Sequence, residues 1–322
     1  MTRPTVVVVT GADAAYAIPL AVMLRSLVDA LSPRYGIDAY VIDGGLGDVL
    51  RARIEQSLPR GRANLHWHVP DARCFGELPL WGRMTTATYF KLVMPSVLPP
   101  AVTRALWLDA DVLAAGDVAA LWHADVERFP VRAVPDSVVT TIGARFGVAA
   151  WRQLGLPSTA PYFNAGVMLV NVAWWRSHAV AAQAFGYLRR YWRDVYFWDQ
   201  EGLNAILATQ WAALDAAWNW SPSFGAAGVV PRLIHFAGNV KPWRYRGGST
   251  WHDLYYATLD LTAWRGWRPP RSLAASASRF APRALRRRLR QIEQWHMGLT
   301  RWRTLRVSEP PSVEQEAVLR RL

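Results

Sequence analysis

The 322-residue chain has a single cysteine, Cys74, so it cannot form a disulfide bond within itself. A lone thiol in a chain of this length favours a reducing compartment, and we expect a cytoplasmic protein. No apolar run approaches the roughly 18 residues of a membrane-spanning helix. The N-terminal apolar stretch is short and interrupted by Pro19, so we expect no signal peptide.

Glycine-rich phosphate-binding motifs are also absent. No G-x-G-x-x-G follows the first predicted strand, and no G-x-x-x-x-G-K-[ST] occurs anywhere in the chain. A nucleotide-dependent oxidoreductase on a Rossmann-like fold is one function class to consider for this chain. The absence of G-x-G-x-x-G counts against it. A nucleotide-binding α/β protein without such a loop must neutralise phosphate charge in another way, and a metal ion held by carboxylates would do so.

Acidic residues are scarce, with 24 Asp and Glu against 37 Lys and Arg, and the formal net charge is +13. From Arg265 onward there are 14 arginines and 4 glutamates, so the preceding 264 residues carry a net charge of only +3. A nearly neutral body with a basic tail argues against a nucleic-acid-binding protein, and we expect no nucleic-acid partner. We expect a globular domain over residues 1–264 and an arginine-rich linker and tail over residues 265–322.

The tail combines its arginines with apolar residues at helical spacing. Between residues 282 and 305, apolar positions recur at intervals of three or four, namely Leu285, Leu289, Ile292, Trp295, Leu299, Trp302 and Leu305. This pattern is typical of a basic amphipathic helix that lies on an anionic membrane surface. We therefore expect peripheral attachment to the inner face of the cell membrane. The alternative is a helix that docks its apolar stripe on the globular domain.

The N-terminal third alternates between strand and helix patterns. Strands are predicted at 6–9, 39–43 and 64–69, with helices at 18–31 and 48–58 between them. This order predicts an α/β fold with a parallel, Rossmann-like sheet that binds ligands beyond the carboxyl ends of its strands. The later predicted elements are a helix at 85–94 that stops at Pro95, a strand at 105–108, a strand within 161–172, helices at 174–192 and 199–208, and a strand at 233–236.

Asp109 and Asp111 follow the predicted strand at 105–108. Residues two apart in an extended segment project to the same side, and two adjacent carboxylates repel each other unless a cation lies between them. Hard oxygen ligands suit Mg²⁺ or Mn²⁺ held against a diphosphate. Because Asp-x-Asp is short, a polar turn without a metal is the alternative.

Six sequence blocks in a fixed order give the chain a resemblance to a known family. The blocks are GADAAY at 11–16, TYFKL at 88–92, LWLDADVL at 106–113, YFNAGVMLVN at 162–171, DQEGLN at 199–204 and IHFAGNVKPW at 234–243. With them the chain resembles glycosyltransferase family 8, the group of glycogenin-like and lipopolysaccharide galactosyltransferase-like enzymes. The resemblance implies a GT-A fold, in which helices flank a mixed, mainly parallel Rossmann-like sheet.

The resemblance also implies a UDP-sugar donor and a divalent metal, Mn²⁺ or alternatively Mg²⁺. It assigns Asp109, Asp111 and His235 as metal ligands, although a single histidine on an apolar strand is more often structural. It assigns donor binding to Asp13, Lys91, Asp109, Ala110, Asp111, Asn164, Asp199, Gly238 and Lys241. Asp13 would bind uracil, Asn164 and Asp199 the sugar hydroxyls, and Gly238 and Lys241 the phosphates. Ala15 stands where the family often has Asn.

Three of these residues also have ordinary structural explanations, because Asp13 and Asp199 could cap helices and Asn164 could belong to a turn. The resemblance implies that Asp199 and Gln200 act in catalysis and that transfer retains the anomeric configuration. The neutral amide of Gln200 is a poor nucleophile, which favours front-face displacement over a covalent intermediate.

From the residues and the resemblance together, we expect a metal-dependent retaining glycosyltransferase. It would move galactose or glucose from a UDP-sugar to a glycan or glycolipid acceptor of the cell envelope. A self-glucosylating primer-type transferase is the alternative within the family.

Overall fold

The computed structural model describes residues 3–76, 78, 80, 84–238, 241–244 and 250–269. Within these ranges the strands are β1 Thr5–Ala12, β2 Gly36–Asp43, β3 Ala63–His68, β4 Arg104–Leu108, β5 Val112–Ala114, β6 Val131–Pro135, β7 Phe163–Asn171, β8 Ala212–Ala213 and β9 Leu233–His235. The α-helices are α1 Ala17–Ala30, α2 Gly47–Glu55, α3 Met94–Val97, α4 Ala119–Trp122, α5 Val172–Ser177, α6 Val180–Arg190, α7 Trp198–Leu207 and α8 Thr250–Leu259. Short 3₁₀ helices cover Ala14–Tyr16, Ala72–Cys74, Thr86–Val93 and Ala216–Asn219. The predicted membrane-binding segment, residues 282–305, lies outside the described residues.

Seven strands form one mixed sheet in the order β3-β2-β1-β4-β7-β6-β8. All neighbouring strands run parallel except β7, which is antiparallel to both β4 and β6. A second, two-stranded sheet pairs β5 with β9 in antiparallel orientation. The expected α/β architecture, a mainly parallel sheet flanked by helices, is therefore confirmed.

Each face of the large sheet buries its own hydrophobic core. Successive strand residues point to opposite faces, and β1 follows this rule, because Val8 packs with α1 while Val9 packs with Phe90 and Trp107 on the other face. Both faces of β1 are apolar, which is why its sequence is a continuous β-branched run instead of an alternating one.

Two helix predictions are wrong in detail. The segment predicted as a helix at 85–94 is a 3₁₀ helix, Thr86–Val93, and Pro95 lies in the first turn of α3 and does not end the helix. Proline is tolerated there because the first-turn N–H groups have no intrahelical acceptor. The long helix predicted at 174–192 is divided into α5 and α6, because Ala179 adopts a left-handed conformation with a φ of 47°.

The described chain holds no helix that is both long enough and apolar enough to cross a membrane. Its ordered contacts continue past Trp264. Arg268 forms an ion pair with Asp260 at 2.6 Å, and the guanidinium of Arg53 lies over the Trp264 ring. The proposed domain boundary near residue 264 stays a prediction.

Candidate active site

The predicted site residues gather at one edge of the large sheet. Asp13, Asp109 and Asp136 directly follow the parallel strands β1, β4 and β6. The antiparallel strand β7 begins at this edge, so Asn164, its second residue, arrives beside them. The backbone N–H of Asp109 donates to the Gly166 carbonyl at 2.8 Å and extends the β4–β7 pairing to this edge. This is the edge at which sheets of this kind bind ligands, and ligand binding there stays a prediction.

The small β5–β9 sheet brings His235 to the two aspartates. Val112, the residue after Asp111, pairs directly with His235 across the antiparallel ladder. The His235 Nε2 atom lies 3.3 Å from Asp111 Oδ1 and 3.9 Å from Asp109 Oδ2. One ligand atom from each of the three residues lies within 4.8 Å of the other two. Two carboxylates and one imidazole form a donor set that suits Mn²⁺ or Mg²⁺.

The geometry between the two aspartates differs from the expectation. They do not lie in an extended segment, because the Val112 N–H donates to the Asp109 carbonyl at 3.1 Å and closes a turn. The turn, together with the β5–β9 ladder, makes the two carboxylates converge on His235. The predicted proximity therefore arises from a turn and not from the two-residue period of a strand.

Each aspartate gives one oxygen to protein donors and turns the other toward His235. Trp107 Nε1 donates to Asp109 Oδ1 at 2.7 Å, and Lys241 Nζ donates to Asp111 Oδ2. Burial raises the pKa of Asp111, but the charge of the neighbouring Lys241 outweighs it and holds that pKa well below its usual range. The carboxylate is therefore ionised, as a metal ligand must be.

Lys91 joins the cluster of predicted metal ligands to the predicted sugar end of the site. Its Nζ atom lies 2.6 Å from Asp199 Oδ2 and 3.3 Å from Asp109 Oδ1, and its side chain is buried. Burial lowers the pKa of Lys91, but the two carboxylates outweigh this and raise it, so the amine stays charged. For Asp199, burial raises the pKa and the charge of Lys91 offsets part of that rise.

Asp199 lies inside the first turn of α7 and does not cap it, since the N-cap residue is Phe197. Its second oxygen, Oδ1, accepts a hydrogen bond from Thr88 Oγ1 at 2.7 Å. Asp13 is the N-cap of the 3₁₀ helix Ala14–Tyr16, and its Oδ2 atom accepts from Thr85 Oγ1 at 2.8 Å. Asp13 therefore does cap a helix, as its structural explanation predicted, whereas Asp199 does not.

Gln200 is held at both ends of its amide. Its Oε1 atom accepts from the Ala165 N–H at 3.0 Å, and its Nε2 atom donates to Asp136 Oδ2 at 3.1 Å. The same Asp136 oxygen accepts from Asn164 Nδ2 at 2.8 Å. Asp136 was not assigned a role from the sequence. Its position after a parallel strand would have been the signal, but β6 itself was not predicted.

Glu201, the next residue, ties the helix to its surroundings. It is fully buried, and its oxygens accept from the Ala149 N–H at 2.9 Å, the Tyr187 hydroxyl at 2.8 Å and the Tyr196 N–H at 2.6 Å. Burial raises the pKa of Glu201 to about 7, against the hydrogen bonds that lower it. The carboxyl therefore connects α7 to α6 and to the loop before β7.

The remaining donor-binding predictions concern residues that are expected to lie near the phosphates. Ala110 is buried in the turn between Asp109 and Asp111, and Gly238 has a φ of 81°, a conformation that favours glycine. Lys241 is buried and, besides Asp111, donates to the Phe236 carbonyl at 2.6 Å. The predicted contacts of these residues with a diphosphate stay predictions. Residues 239 and 240, also in the sixth block, lie outside the described residues.

Comparison with known proteins decides the family. A family model described as glycosyl transferase family 8 matches residues 7–247, about three-quarters of the chain. This chain belongs to glycosyl transferase family 8. The match spans the whole candidate site, and membership in a glycosyltransferase family replaces the oxidoreductase alternative.

Similarity to individual family members is moderate. General stress protein A of Bacillus subtilis (strain 168) is 25% identical over 276 residues, which cover 80% of this chain and 94% of that protein. Lipopolysaccharide glucosyltransferase WaaO of Escherichia coli (strain K12) is 28% identical, and the match spans about half of each chain, 52% of both. A crystal structure of the galactosyltransferase LgtC with donor and acceptor sugar analogs superposes with a TM-score of 0.69. It covers 80% of this chain and 96% of LgtC at 24% identity, which establishes a shared fold.

Proposed function

We propose that this family 8 glycosyltransferase moves a hexose from a UDP-sugar to a glycan or glycolipid acceptor of the cell envelope, with retention of anomeric configuration. The observation that carries the proposal is the Lys91 bridge, which joins Asp109 of the metal-ligand cluster to Asp199 beside Gln200. A sugar nucleotide needs such a continuous site, since its diphosphate and its sugar must be held together. The names of WaaO and LgtC, a glucosyltransferase and a galactosyltransferase, support a hexose donor.

Asp109, Asp111 and His235 would hold the divalent ion. When bound, that ion would supply positive charge that stabilises the leaving diphosphate. Lys241 is the protein's own cation on this side, and Gly238 would allow the backbone to approach a phosphate. A carboxylate can accept more hydrogen bonds than the two that Asp13 receives from Ala15 and Thr85 in the described part of the chain, and we assign it to the uracil.

At the sugar end, the engagement of nearby carboxylates supports front-face displacement. Asp199 is held by Thr88 and Lys91, Asp136 by Asn164 and Gln200, and Glu201 by two backbone N–H groups and Tyr187. A covalent intermediate would require one of them to leave those partners and attack the sugar. Gln200 and Asp199 would instead stabilise positive charge on the sugar while the leaving phosphate accepts the proton of the acceptor.

A donor screen tests the proposal. UDP release is measured with Mn²⁺ across UDP-galactose, UDP-glucose and UDP-N-acetylglucosamine, with EDTA and with the variants Asp109→Asn and Asp111→Asn. We expect one UDP-hexose to be turned over and the activity to disappear in EDTA and in both variants. Full activity in EDTA, or in both folded variants, would contradict the metal assignment. If the sugar of a labelled donor accumulates on the protein itself, that result favours the self-glucosylating primer-type alternative.

A further inference from the structure

Asn219 lies directly behind His235, the proposed metal ligand. It is the last residue of the 3₁₀ helix Ala216–Asn219, and its Oδ1 atom is 2.9 Å from His235 Nδ1. Two backbone hydrogen bonds fix this placement. Trp220 donates to the Leu233 carbonyl at 3.0 Å, and His235 donates to the Trp220 carbonyl at 2.8 Å. The side-chain contact between Asn219 and His235 therefore rests on a backbone ladder.

The direction of every hydrogen bond behind His235 can be worked out from one backbone group. The Gly166 N–H can only donate, and it lies 2.9 Å from the side chain of Asn164, so the Asn164 amide oxygen faces it. The other end of that amide, Nδ2, donates to Asp136 Oδ2, which is consistent with the same orientation. The Asn164 oxygen then accepts from Asn219 Nδ2 at 2.8 Å.

This orientation of Asn219 decides the protonation of the imidazole. With its Nδ2 atom committed to Asn164, Asn219 turns its oxygen toward His235, and an oxygen can only accept. The Nδ1 atom of His235 must therefore carry the proton. In the neutral ring the lone pair is then on Nε2, the atom that faces the Asp109 and Asp111 carboxylates.

We propose that Asn219 is a positioning residue that holds His235 in the Nδ1–H form, with Nε2 presented to the metal. The inference rests on the proposed function, because it deepens the assignment of His235 as a ligand. It also links the two ends of the site. The chain of amides that starts at His235 runs through Asn219 and Asn164 to Asp136, which holds Gln200.

Mn²⁺ titration of the donor-free protein tests this role, with Asn219→Leu and Asn219→Asp compared with wild type. Leucine has a similar size but no acceptor, and partners of metal-bound histidines typically contribute about 10- to 100-fold in metal affinity. We expect Asn219→Leu to weaken Mn²⁺ binding by about that factor. Asn219→Asp keeps an acceptor for Nδ1 but loses the donor to Asn164, so we expect its Mn²⁺ affinity to lie between those of Asn219→Leu and wild type. Asn64→Leu, at an exposed amide bonded to Asp38, is the matched control and should bind like wild type.

A second readout does not require metal binding at all. Nitrogen-15 NMR of the metal-free protein, recorded at a pH where the imidazoles are neutral, reports the tautomer of each ring, and His235→Gln identifies the His235 signals. We expect the Nδ1–H form in wild type and in Asn219→Asp, and a loss of that preference in Asn219→Leu. The proposal is overturned if Asn219→Leu keeps the Nδ1–H form, or binds Mn²⁺ as tightly as wild type. If wild type binds no Mn²⁺, the metal assignment fails and the tautomer measurement alone decides the role of Asn219.

Discussion

Gly166 shows how closely the fit around His235 is set by one residue. A Cβ atom added at Gly166 would lie 2.7 Å from His235 Nδ1 and still closer to Cε1. Real Cβ atoms do not tolerate such contacts, so the imidazole has to move. We expect Gly166→Ala to weaken Mn²⁺ binding at least about 10-fold, the lower end of the effect of disturbed ligand support.

Gly186 in α6 provides the control, since a Cβ there would meet no atom within 4 Å. Gly186→Ala should keep the Mn²⁺ affinity of wild type and gain roughly 0.5–1 kcal/mol of stability from helix propensity. Calorimetric Mn²⁺ titration of Gly166→Ala, Gly186→Ala and wild type tests this prediction. Equal affinities in the two variants would show that His235 is not a ligand or that its neighbours give way.

Substitutions of Gln200 and Asp13 are expected to affect different quantities, namely kcat for Gln200 and UDP affinity for Asp13. Gln200→Ala should lower kcat about 10-fold or more and leave UDP affinity nearly unchanged, because Gln200 is assigned to the sugar and not to the nucleotide. Asp13→Ala should weaken UDP binding most, because its carboxylate is assigned to the base. Calorimetry with UDP and steady-state kinetics on both variants separate the roles. An equal loss of UDP affinity in the two would contradict this division.

Glu201 predicts a pH-dependent stability. Its pKa is raised to about 7 in the folded protein, so the folded state holds a proton that the unfolded chain has already released. That contribution is complete at low pH and disappears as the pH rises through the folded pKa. We expect the free energy of unfolding to fall by about 1 kcal/mol between pH 6.5 and 8.

Urea unfolding at several pH values measures this decline. Glu201→Gln cannot ionise at this position, so its free energy of unfolding should not fall over the same interval, whatever its absolute stability. His68, whose pKa burial lowers, acts in the opposite direction, because the unfolded chain still binds part of that proton just above pH 6.5; this makes both proteins slightly more stable as the pH rises. A wild-type profile that does not fall relative to that of Glu201→Gln between pH 6.5 and 8 would contradict the assignment.

At the level of elements, the 3₁₀ helix Thr86–Val93 and its N-cap residue supply side chains that hold three of the site's carboxylates. A 3₁₀ helix has three residues per turn, so positions three apart align on one face. Thr85, Thr88 and Lys91 follow this period, and they bind Asp13, Asp199 and the Asp109–Asp199 pair respectively. An α-helix would rotate Thr85 away from Lys91 over the same six residues.

Thr88→Val tests this alignment, because valine keeps the β-branched shape and removes only the hydroxyl. We expect kcat to fall about 10-fold, corresponding to about 1.4 kcal/mol, through loss of the hydrogen bond to Asp199, while UDP affinity is unchanged. Thr86→Val, at an exposed position on the same helix, is the control and should match wild type. Steady-state kinetics decide the result, and equal kcat values in both variants would remove Thr88 from the site.

At the scale of the whole molecule, the basic tail predicts binding to a membrane surface. The net charge of +10 from Arg265 onward and the apolar spacing between residues 282 and 305 are properties of the sequence. They predict that deletion from Arg279 onward releases the protein from anionic vesicles, while transfer to a soluble acceptor persists. Part of the wild-type binding should weaken as salt rises, and the apolar contribution should remain.

Vesicle sedimentation at low and high salt, beside a melting curve of the truncated protein, tests the tail. If the stripe packs on the catalytic domain instead, truncation should lower the melting temperature and leave vesicle binding unchanged. That outcome would withdraw the membrane assignment.

Locally coded features of this protein could be predicted from the sequence. The β-branched run of β1 and the helical spacing of α1 identify the start of the fold, because each pattern reflects burial along a single element. The motif blocks with Asp109, Asp111 and His235 indicated these three residues as candidate metal ligands through family resemblance, and the structure brings them together. The 3₁₀ geometry and the break at Ala179 were missed, since apolar spacing over a few residues does not separate these conformations.

Only the tertiary structure decided which groups share hydrogen bonds. Asp136, Asn164, Gln200 and Asn219 are far apart in the chain, and their side chains meet because β6, β7, α7 and the 3₁₀ helix Ala216–Asn219 converge at one sheet edge. The sequence determined the chemical types and the elements that carry them. Strand pairing determined the partners, because the antiparallel β5–β9 and β4–β7 ladders join residues separated by many positions, and no local pattern encodes that register.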